Sequence, residues 1–182
     1  MLEHKGTVEL ETERLLLRRF RADDVYPMFE NWASDPNVTR YLCWTAHKDV
    51  RDTQAIVEKW LEDYSRSDTY RWAIEWKTLG QPIGDISVVR IDEDVDACEI
   101  GYCIGAKWWR QGVTSEALRA VMQFLFDTVH ANRICAKHDV RNVNSGRVMQ
   151  KCGMAHEGTL RRAGRTGLGE ICDLEVYAKI LR

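Results

Sequence analysis

The sequence predicts an α/β (α+β) fold, in which helices flank one central sheet that is mixed and mostly antiparallel. Stretches of alternating polarity, typical of strands, recur along the chain, and stretches with apolar residues at helical spacing lie between them. The chain shows no internal repeat or low-complexity linker, and its 182 residues suffice for one sizeable core. We therefore expect residues 1–182 to form a single domain of about seven strands and about four helices.

Strands are predicted where apolar and polar residues alternate between turn-forming residues. The stretch after residue 70 alternates in this way, and a turn at Leu79, Gly80 and Gln81 separates it from the next. This spacing indicates an antiparallel meander of three strands in the middle of the chain. The predicted strands cover residues 12–20, 70–77, 82–91, 98–104, 133–139, 155–160 and 173–181.

Helices are predicted where apolar residues recur every three or four positions. The longest such stripe lies within residues 113–130. Acidic Asp23 and Asp24 favour a helix start, and Gly153 favours a left-handed helix end. The predicted helices begin near Asp23, Val50, Val113 and Asn144 and end near residues 34, 65, 130 and 152.

Composition and charge argue against several classes of protein. The net charge of −2 gives no overall attraction to nucleic acid or to an anionic membrane. No apolar stretch approaches the length of a membrane span, and residues 1–13 lack the pattern of a signal peptide. Six cysteines form no Cys-x-x-Cys pair, which favours reduced thiols and a cytoplasmic protein. Cys135 and His138 face opposite ways on a strand, so we expect no metal site.

The segment from Glu99 to Ala117 leads from a strand through a loop into the longest helix. The start of a helix presents unpaired backbone N–H groups and the positive end of the dipole, which favour an anion such as a pyrophosphate. Gly112 lets the backbone approach a ligand closely, and Arg110 adds a positive charge. An ordinary strand-to-helix turn is the alternative, because the glycine spacing matches neither a Walker loop nor a dinucleotide fingerprint.

A second segment, residues 139–154, leads from a strand into a short helix. Asn142 and Ser145 lie where this helix begins. Plain capping of the helix by these side chains is the alternative to a role in binding.

Together the two segments resemble the GNAT superfamily, and most closely its ribosomal-protein-alanine N-acetyltransferase branch. Three stretches carry the resemblance in the right order, and they lie at residues 12–18, 99–117 and 142–154. The resemblance implies an acetyl-CoA site in a gap between the fourth and fifth strands. It also implies that the pantetheine arm bonds to backbone near Cys103 and Ile104. Asn142 would hold the same arm, and Arg147 would reach the nucleotide end. The pyrophosphate would meet the backbone N–H groups of Arg110, Gln111, Gly112, Val113, Thr114 and Ser115.

Three positions depart from the pattern of the superfamily, and one of them is Thr114, a residue that is still small where relatives carry Gly or Ala. Trp109 stands where many relatives carry Gln or Arg, and this change leaves the backbone donors of the loop in place. Met149 stands where many relatives carry a tyrosine that acts as general acid. Another group must therefore protonate the leaving thiolate if acid catalysis is used.

Two residues are candidates for the chemistry of acetyl transfer. Glu99 is the candidate general base, directly or through water, and a strand-edge ion pair is the alternative for this carboxylate. Ser145 is the candidate proton donor to the sulfur, and helix capping is its alternative.

These observations predict an enzyme that moves an acetyl group from acetyl-CoA to a primary amine by direct attack in a ternary complex. A protein N-terminus of the ribosomal-protein-alanine type is the expected acceptor. A small amine (an antibiotic, polyamine or amino acid) is an alternative acceptor, and a non-catalytic acyl-CoA sensor is an alternative function. An oligomer is compatible with the sequence, whereas direct binding of nucleic acid or a membrane is not expected.

Overall fold

One mixed sheet of eight strands runs through the protein, as a computed structural model describes for residues 1–181. The strands are β1 (Leu10–Glu11), β2 (Leu15–Arg18), β3 (Arg71–Trp76), β4 (Gln81–Asp92), β5 (Ala97–Ile104), β6 (Arg133–Asp139), β7 (Ala155–Arg165) and β8 (Ile171–Ile180). Their order in the sheet is β1-β2-β3-β4-β5-β6-β8-β7. Within the described residues β5 and β6 are the parallel pair, and the other neighbours are antiparallel.

The sheet has one strand more than the sequence predicts. The predicted opening strand, residues 12–20, is a shorter β2, and a two-residue β1 precedes it. A turn separates the two strands because the backbone N–H of Thr12 donates to the carbonyl of Leu15 at 3.0 Å. The final hairpin is also longer than predicted, since β7 continues to Arg165.

Five α-helices surround the sheet, one more than predicted. They are α1 (Val25–Met28), α2 (Pro36–Thr39), α3 (Val50–Asp63), α4 (Val113–Asp127) and α5 (Val143–Lys151). A π-helical turn at Phe29–Ala33 continues α1. The additional helix is α2, which lies in a stretch expected only to end a helix. The Asp35 carboxylate caps α2, because it accepts a hydrogen bond from the backbone N–H of Asn37 at 2.8 Å. Pro36 suits the first position of this helix.

Two apolar layers hold helices against opposite faces of the sheet. The larger packs α4 against the strands, with Trp72, Leu118 and Leu125 completely buried. The smaller packs α1 and α3 on the other face, where Trp32 and Val57 are completely buried. Each such aliphatic or aromatic side chain stabilises the fold by about 1.5–3 kcal/mol, so the two layers keep the central strands in place.

The neighbouring strands β5 and β6 separate after a short paired region. Their pairing ends at Glu99 and Cys135, after three residue pairs. Beyond this point each strand keeps its other neighbour, since β5 stays paired with β4 and β6 with β8. A bulge in β4 between Val88 and Arg90 lies opposite the point of divergence and increases the local twist. The splay between the fourth and fifth predicted strands is therefore present.

Candidate active site

The gap between β5 and β6 opens into a cavity of about 590 Å³. Its walls come from β5, the loop before α4, the end of β6 and helix α5. Backbone groups on the diverging strands lack the ladder partners that a sheet provides, and such groups need another polar partner. The cavity is lined by ten of the twelve predicted site residues: Cys103, Ile104, Arg110, Gly112, Val113, Thr114, Ser115, Asn142, Ser145 and Arg147.

Two predicted site residues, Gln111 and Glu99, do not line this cavity. The Gln111 side chain instead donates to the carbonyl of Lys107 at 2.8 Å. Glu99 lies in the paired part of β5, where its carboxylate accepts from the Lys137 Nζ at 2.8 Å. Glu99 therefore forms an ion pair, which was the alternative to a role as general base. Its partner Lys137 does line the cavity.

The loop before α4 has a backbone shape that exposes the start of the helix. Arg110 and Gly112 both have positive φ angles, 62° and 78°. Gly112 is the N-cap of α4, and no side chain caps the helix. The first N–H groups of a helix have no intrahelical acceptor, so those of the first turn, from Val113 onward, are available to an anion. The 15 residues of α4 add the positive end of a long helix dipole.

The segment before β2 clamps this helix start in place. The Glu116 carboxylate accepts from Thr12 Oγ1 at 2.6 Å and from Arg14 Nε at 2.7 Å. Arg14 also donates to the carbonyl of Gln111 at 3.0 Å. Burial raises the pKa of Glu116, but hydrogen bonds from Thr12 and Arg14 outweigh it and leave the pKa below its ordinary value. Residues 12–18 and the loop before α4, which both belong to the predicted motifs, are therefore joined by direct hydrogen bonds.

Trp109, the departure from the pattern of the resembled superfamily, anchors the same loop to β5. Its indole Nε1 donates to the carbonyl of Ile104 at 3.0 Å. The carbonyl of Ile104 therefore already has a partner within the protein.

Side-chain capping does not account for Asn142 and Ser145. Asn142 is the N-cap of α5, but its side chain makes no capping hydrogen bond. The Ser145 hydroxyl lies 3.0 Å from the Tyr102 hydroxyl on the opposite wall. The Asn142 side chain therefore stays available to a ligand, whereas the Ser145 hydroxyl is held at the cavity wall by Tyr102.

The sequence profile of the acetyltransferase (GNAT) domain family matches residues 14–155. The chain belongs to the GNAT acetyltransferase family. It is 30% identical over 174 residues to an uncharacterized N-acetyltransferase, p20, of Bacillus licheniformis, and the match covers 95% of this chain and 96% of that protein. The [ribosomal protein uS5]-alanine N-acetyltransferase of Escherichia coli (strain K12) is 39% identical over 62 residues, which are 34% of this chain and 32% of that protein.

A solved structure shares the fold of this GNAT protein. The microcin C7 self-immunity acetyltransferase MccE, in complex with acetyl-CoA and AMP, superposes with a TM-score of 0.82 at 22% identity. The match covers 93% of this chain and 94% of that chain. Its family, and not this shared fold, makes the protein an acetyltransferase.

A contact between two loops supports part of the wall of the GNAT cavity. Tyr41 and Leu42 line the cavity after α2. The carbonyl of Leu42 accepts from the backbone N–H of Gly167, in the β7–β8 turn, at 2.8 Å. A side chain at Gly167 has no room, because a Cβ there would lie 2.3 Å from the carbonyl carbon of Trp44. Sequence reasoning missed this wall because it joins residues far apart in the chain.

The thiol of Cys103 lies in the cavity wall and is buried. Burial, and to a lesser degree the nearby Asp85 carboxylate, raises the pKa of this thiol well above its ordinary value. A thiol needs to ionise to act as a strong nucleophile. The environment of Cys103 therefore disfavours an acyl-cysteine intermediate.

Two features are absent from the part of the chain that the structure describes. Residues 1–181 contain no helix long and apolar enough to cross a membrane. The same residues place no three His, Cys, Asp or Glu side chains close enough together to hold a metal ion.

Proposed function

We propose that this protein, as a single acetyltransferase domain over residues 1–182, transfers the acetyl group of acetyl-CoA to a primary amine. The splay of β5 and β6 carries the proposal, because it leaves a cavity with unpaired backbone groups on one side and a helix start beside it. An extended pantetheine arm carries amide groups that complement such a backbone. Its pyrophosphate complements the uncapped start of α4.

The chain supplies groups for each part of the coenzyme. The pantetheine arm lies along β5 near Cys103 and Ile104, and the Asn142 amide holds it from α5. The pyrophosphate accepts hydrogen bonds from the backbone over residues 110–115. Arg147 is exposed and has only a long 3.4 Å contact with Asn144, which leaves its guanidinium free to reach the nucleotide.

The reaction is a direct attack of the amine on the thioester, with both substrates bound. A neutral amine forms the C–N bond, and a backbone N–H of the splayed β5 stabilises the oxyanion. Glu99 takes the proton of the amine through water, with Lys137 holding its carboxylate. The C–S bond then breaks with its electron pair on sulfur, and Ser145 protonates the thiolate. The buried, protonated Cys103 supports this route over one through an acyl-enzyme.

We infer that the acceptor is a protein N-terminus, of the ribosomal-protein-alanine type. The similarity over 62 residues to an enzyme with that named substrate supports it. An α-amino group has a pKa near 8, so much of it is neutral at cytoplasmic pH and a modest base suffices. The free cysteines of the described chain support the cytoplasm as the compartment.

A small amine is the second candidate acceptor. The contact between Leu42 and Gly167 favours it, because this contact holds part of the cavity wall in place, and we place the amine beside this part of the wall. Small acceptors suit enclosed pockets, whereas peptides need an open groove.

Calorimetry with acetyl-CoA and coenzyme A, followed by acetylation assays, tests the proposal. The acceptor panel contains peptides that begin with alanine or serine, the same peptides with blocked N-termini, a polyamine and an aminoglycoside. We expect coenzyme binding and acetylation of unblocked peptides. Transfer to the small amines alone would replace the peptide acceptor. Tight coenzyme binding without transfer to any amine would favour a sensor, and absence of binding would refute the proposal.

A further inference from the structure

Two walls of the cavity meet at one polar contact between Tyr102 and Ser145. Tyr102 lies on the same face of β5 as Ile100 and Ile104, because side chains alternate along a strand. Its hydroxyl lies 3.0 Å from the carbonyl oxygen of Ser145 and 3.0 Å from Ser145 Oγ. Both residues line the cavity. The contact thus joins β5 to α5 across the gap in which the pantetheine arm is proposed to lie.

The protons of this contact can be assigned from the groups involved. A carbonyl oxygen only accepts, so the Tyr102 hydroxyl donates its single proton to the Ser145 carbonyl. The Ser145 hydroxyl then donates to the Tyr102 oxygen. Because the side chain of Ser145 does not cap α5, this hydrogen bond is what orients its proton.

The environment keeps the Tyr102 hydroxyl protonated. Burial raises the pKa of this phenol strongly, and the smaller effect of the Ser145 hydrogen bond lowers it. The pair therefore holds two protons at the cavity wall under ordinary conditions.

We propose that Tyr102 is a positioning residue that acts through Ser145 when the coenzyme thiolate leaves. This inference rests on the proposed acetyl transfer. When the C–S bond breaks, sulfur holds the electron pair, and the Ser145 hydroxyl turns from the Tyr102 oxygen and gives its proton to sulfur. The Tyr102 proton moves from the Ser145 carbonyl to Oγ, and water returns a proton to the Tyr102 oxygen. Met149, which lies with Ser145 in α5, is buried and has no hydroxyl. Tyr102 on the opposite wall brings a hydroxyl to Ser145 instead.

Three variants and a matched control test this inference. Tyr102→Phe keeps the ring and removes only the hydroxyl, and we expect kcat to fall about tenfold while the KM for acetyl-CoA changes less than about twofold. Ser145→Ala is expected to lower kcat by about a hundredfold. The double variant should be no slower than Ser145→Ala alone, because the two residues act as one unit.

Tyr177→Phe is the matched control. Tyr177 lies on β8, and its hydroxyl accepts a hydrogen bond from Gln150 of α5 at 3.3 Å. Tyr177 does not line the cavity. The kcat of Tyr177→Phe should stay within about twofold of wild type. Calorimetry with coenzyme A checks that each variant is folded.

The outcomes separate this inference from the proposed function. Wild-type transfer together with an unchanged kcat for Tyr102→Phe would overturn the role of Tyr102 and leave the proposed function standing. Losses that multiply in the double variant would also overturn it. A wild-type protein that transfers no acetyl group would refute the proposed function itself.

Discussion

Replacing Gly112 by alanine should weaken coenzyme binding more than it weakens the fold. Gly112 has a φ of 78° at the N-cap of α4. A left-handed backbone costs an alanine about 1–2 kcal/mol, which corresponds to a fall in Tm of roughly 2–8 °C for a domain of this size. The new Cβ would lie 3.6 Å from Arg14 Nη2, so no steric clash adds to this cost.

The affinity should change because the strained loop presents the N–H groups of the first helical turn. If the loop relaxes and one hydrogen bond to a charged phosphate is lost, the cost is about 1.5–3 kcal/mol. This cost corresponds to a roughly 10- to 100-fold rise in the Kd for coenzyme A. Titration calorimetry measures the Kd, and thermal unfolding without ligand measures the change in Tm.

Gly153 provides a closely matched control. It also has a φ of 78°, and a Cβ there would lie 3.6 Å from Lys179 Nζ, so its surroundings are similar. Gly153→Ala should therefore lower the Tm to a similar extent but leave the Kd within about twofold. An equal loss of affinity in both variants, or an unchanged Kd for Gly112→Ala, would refute this explanation of the loop.

Three other predictions concern the clamp, helix α5 and the acceptor wall. Glu116→Gln should lower stability by about 2 kcal/mol at pH 7. Because the pKa of Glu116 is lowered, its carboxylate stabilises the fold above the ordinary pKa of 4.5, and this contribution is lost as the pH falls from there through the folded-state pKa. Urea unfolding at pH 3 should therefore show a smaller difference in stability between wild type and Glu116→Gln. Gly146→Ala should cost about 1–3 kcal/mol by overpacking, because its Cβ would lie 2.6 Å from His138 Nε2; an unchanged Tm would contradict this. Gly167→Ala should displace the loop at Trp44 and change the KM for the amine more than that for acetyl-CoA, and equal changes in both would argue against an acceptor wall.

The sequence predicted most of the architecture because local patterns determine it. The stripe within α4 and the alternation in β5 were sufficient to place both elements. The two-residue β1 escaped prediction, since so short a strand has no period to detect. The helix α2 escaped prediction because a proline after a helical stretch indicates the end of that helix, whereas Pro36 begins a new helix behind the Asp35 cap.

The side-chain partners within the site were beyond local reasoning. Glu99 and Lys137 are 38 positions apart, and Tyr102 and Ser145 are 43 apart. Their contacts exist only because β5, β6 and α5 converge at one end of the sheet. The one available signal was the shared face of alternate residues in β5, which places Tyr102 on the same face as Ile100 and Ile104, the face covered by α4.

The short pairing of β5 with β6 also determines how the molecule responds to its ligand. Within residues 1–181, three residue pairs make up the strand pairing that joins strands β1–β5 to strands β6–β8. A ligand in the gap that forms hydrogen bonds with both β5 and β6 would connect the two strands, as an additional strand would. At a hundred times its Kd such a ligand adds about 2.7 kcal/mol to the stability of the folded state. Coenzyme bound as proposed would thus bridge a short junction of the sheet, and it would act as a structural element as well as a reactant.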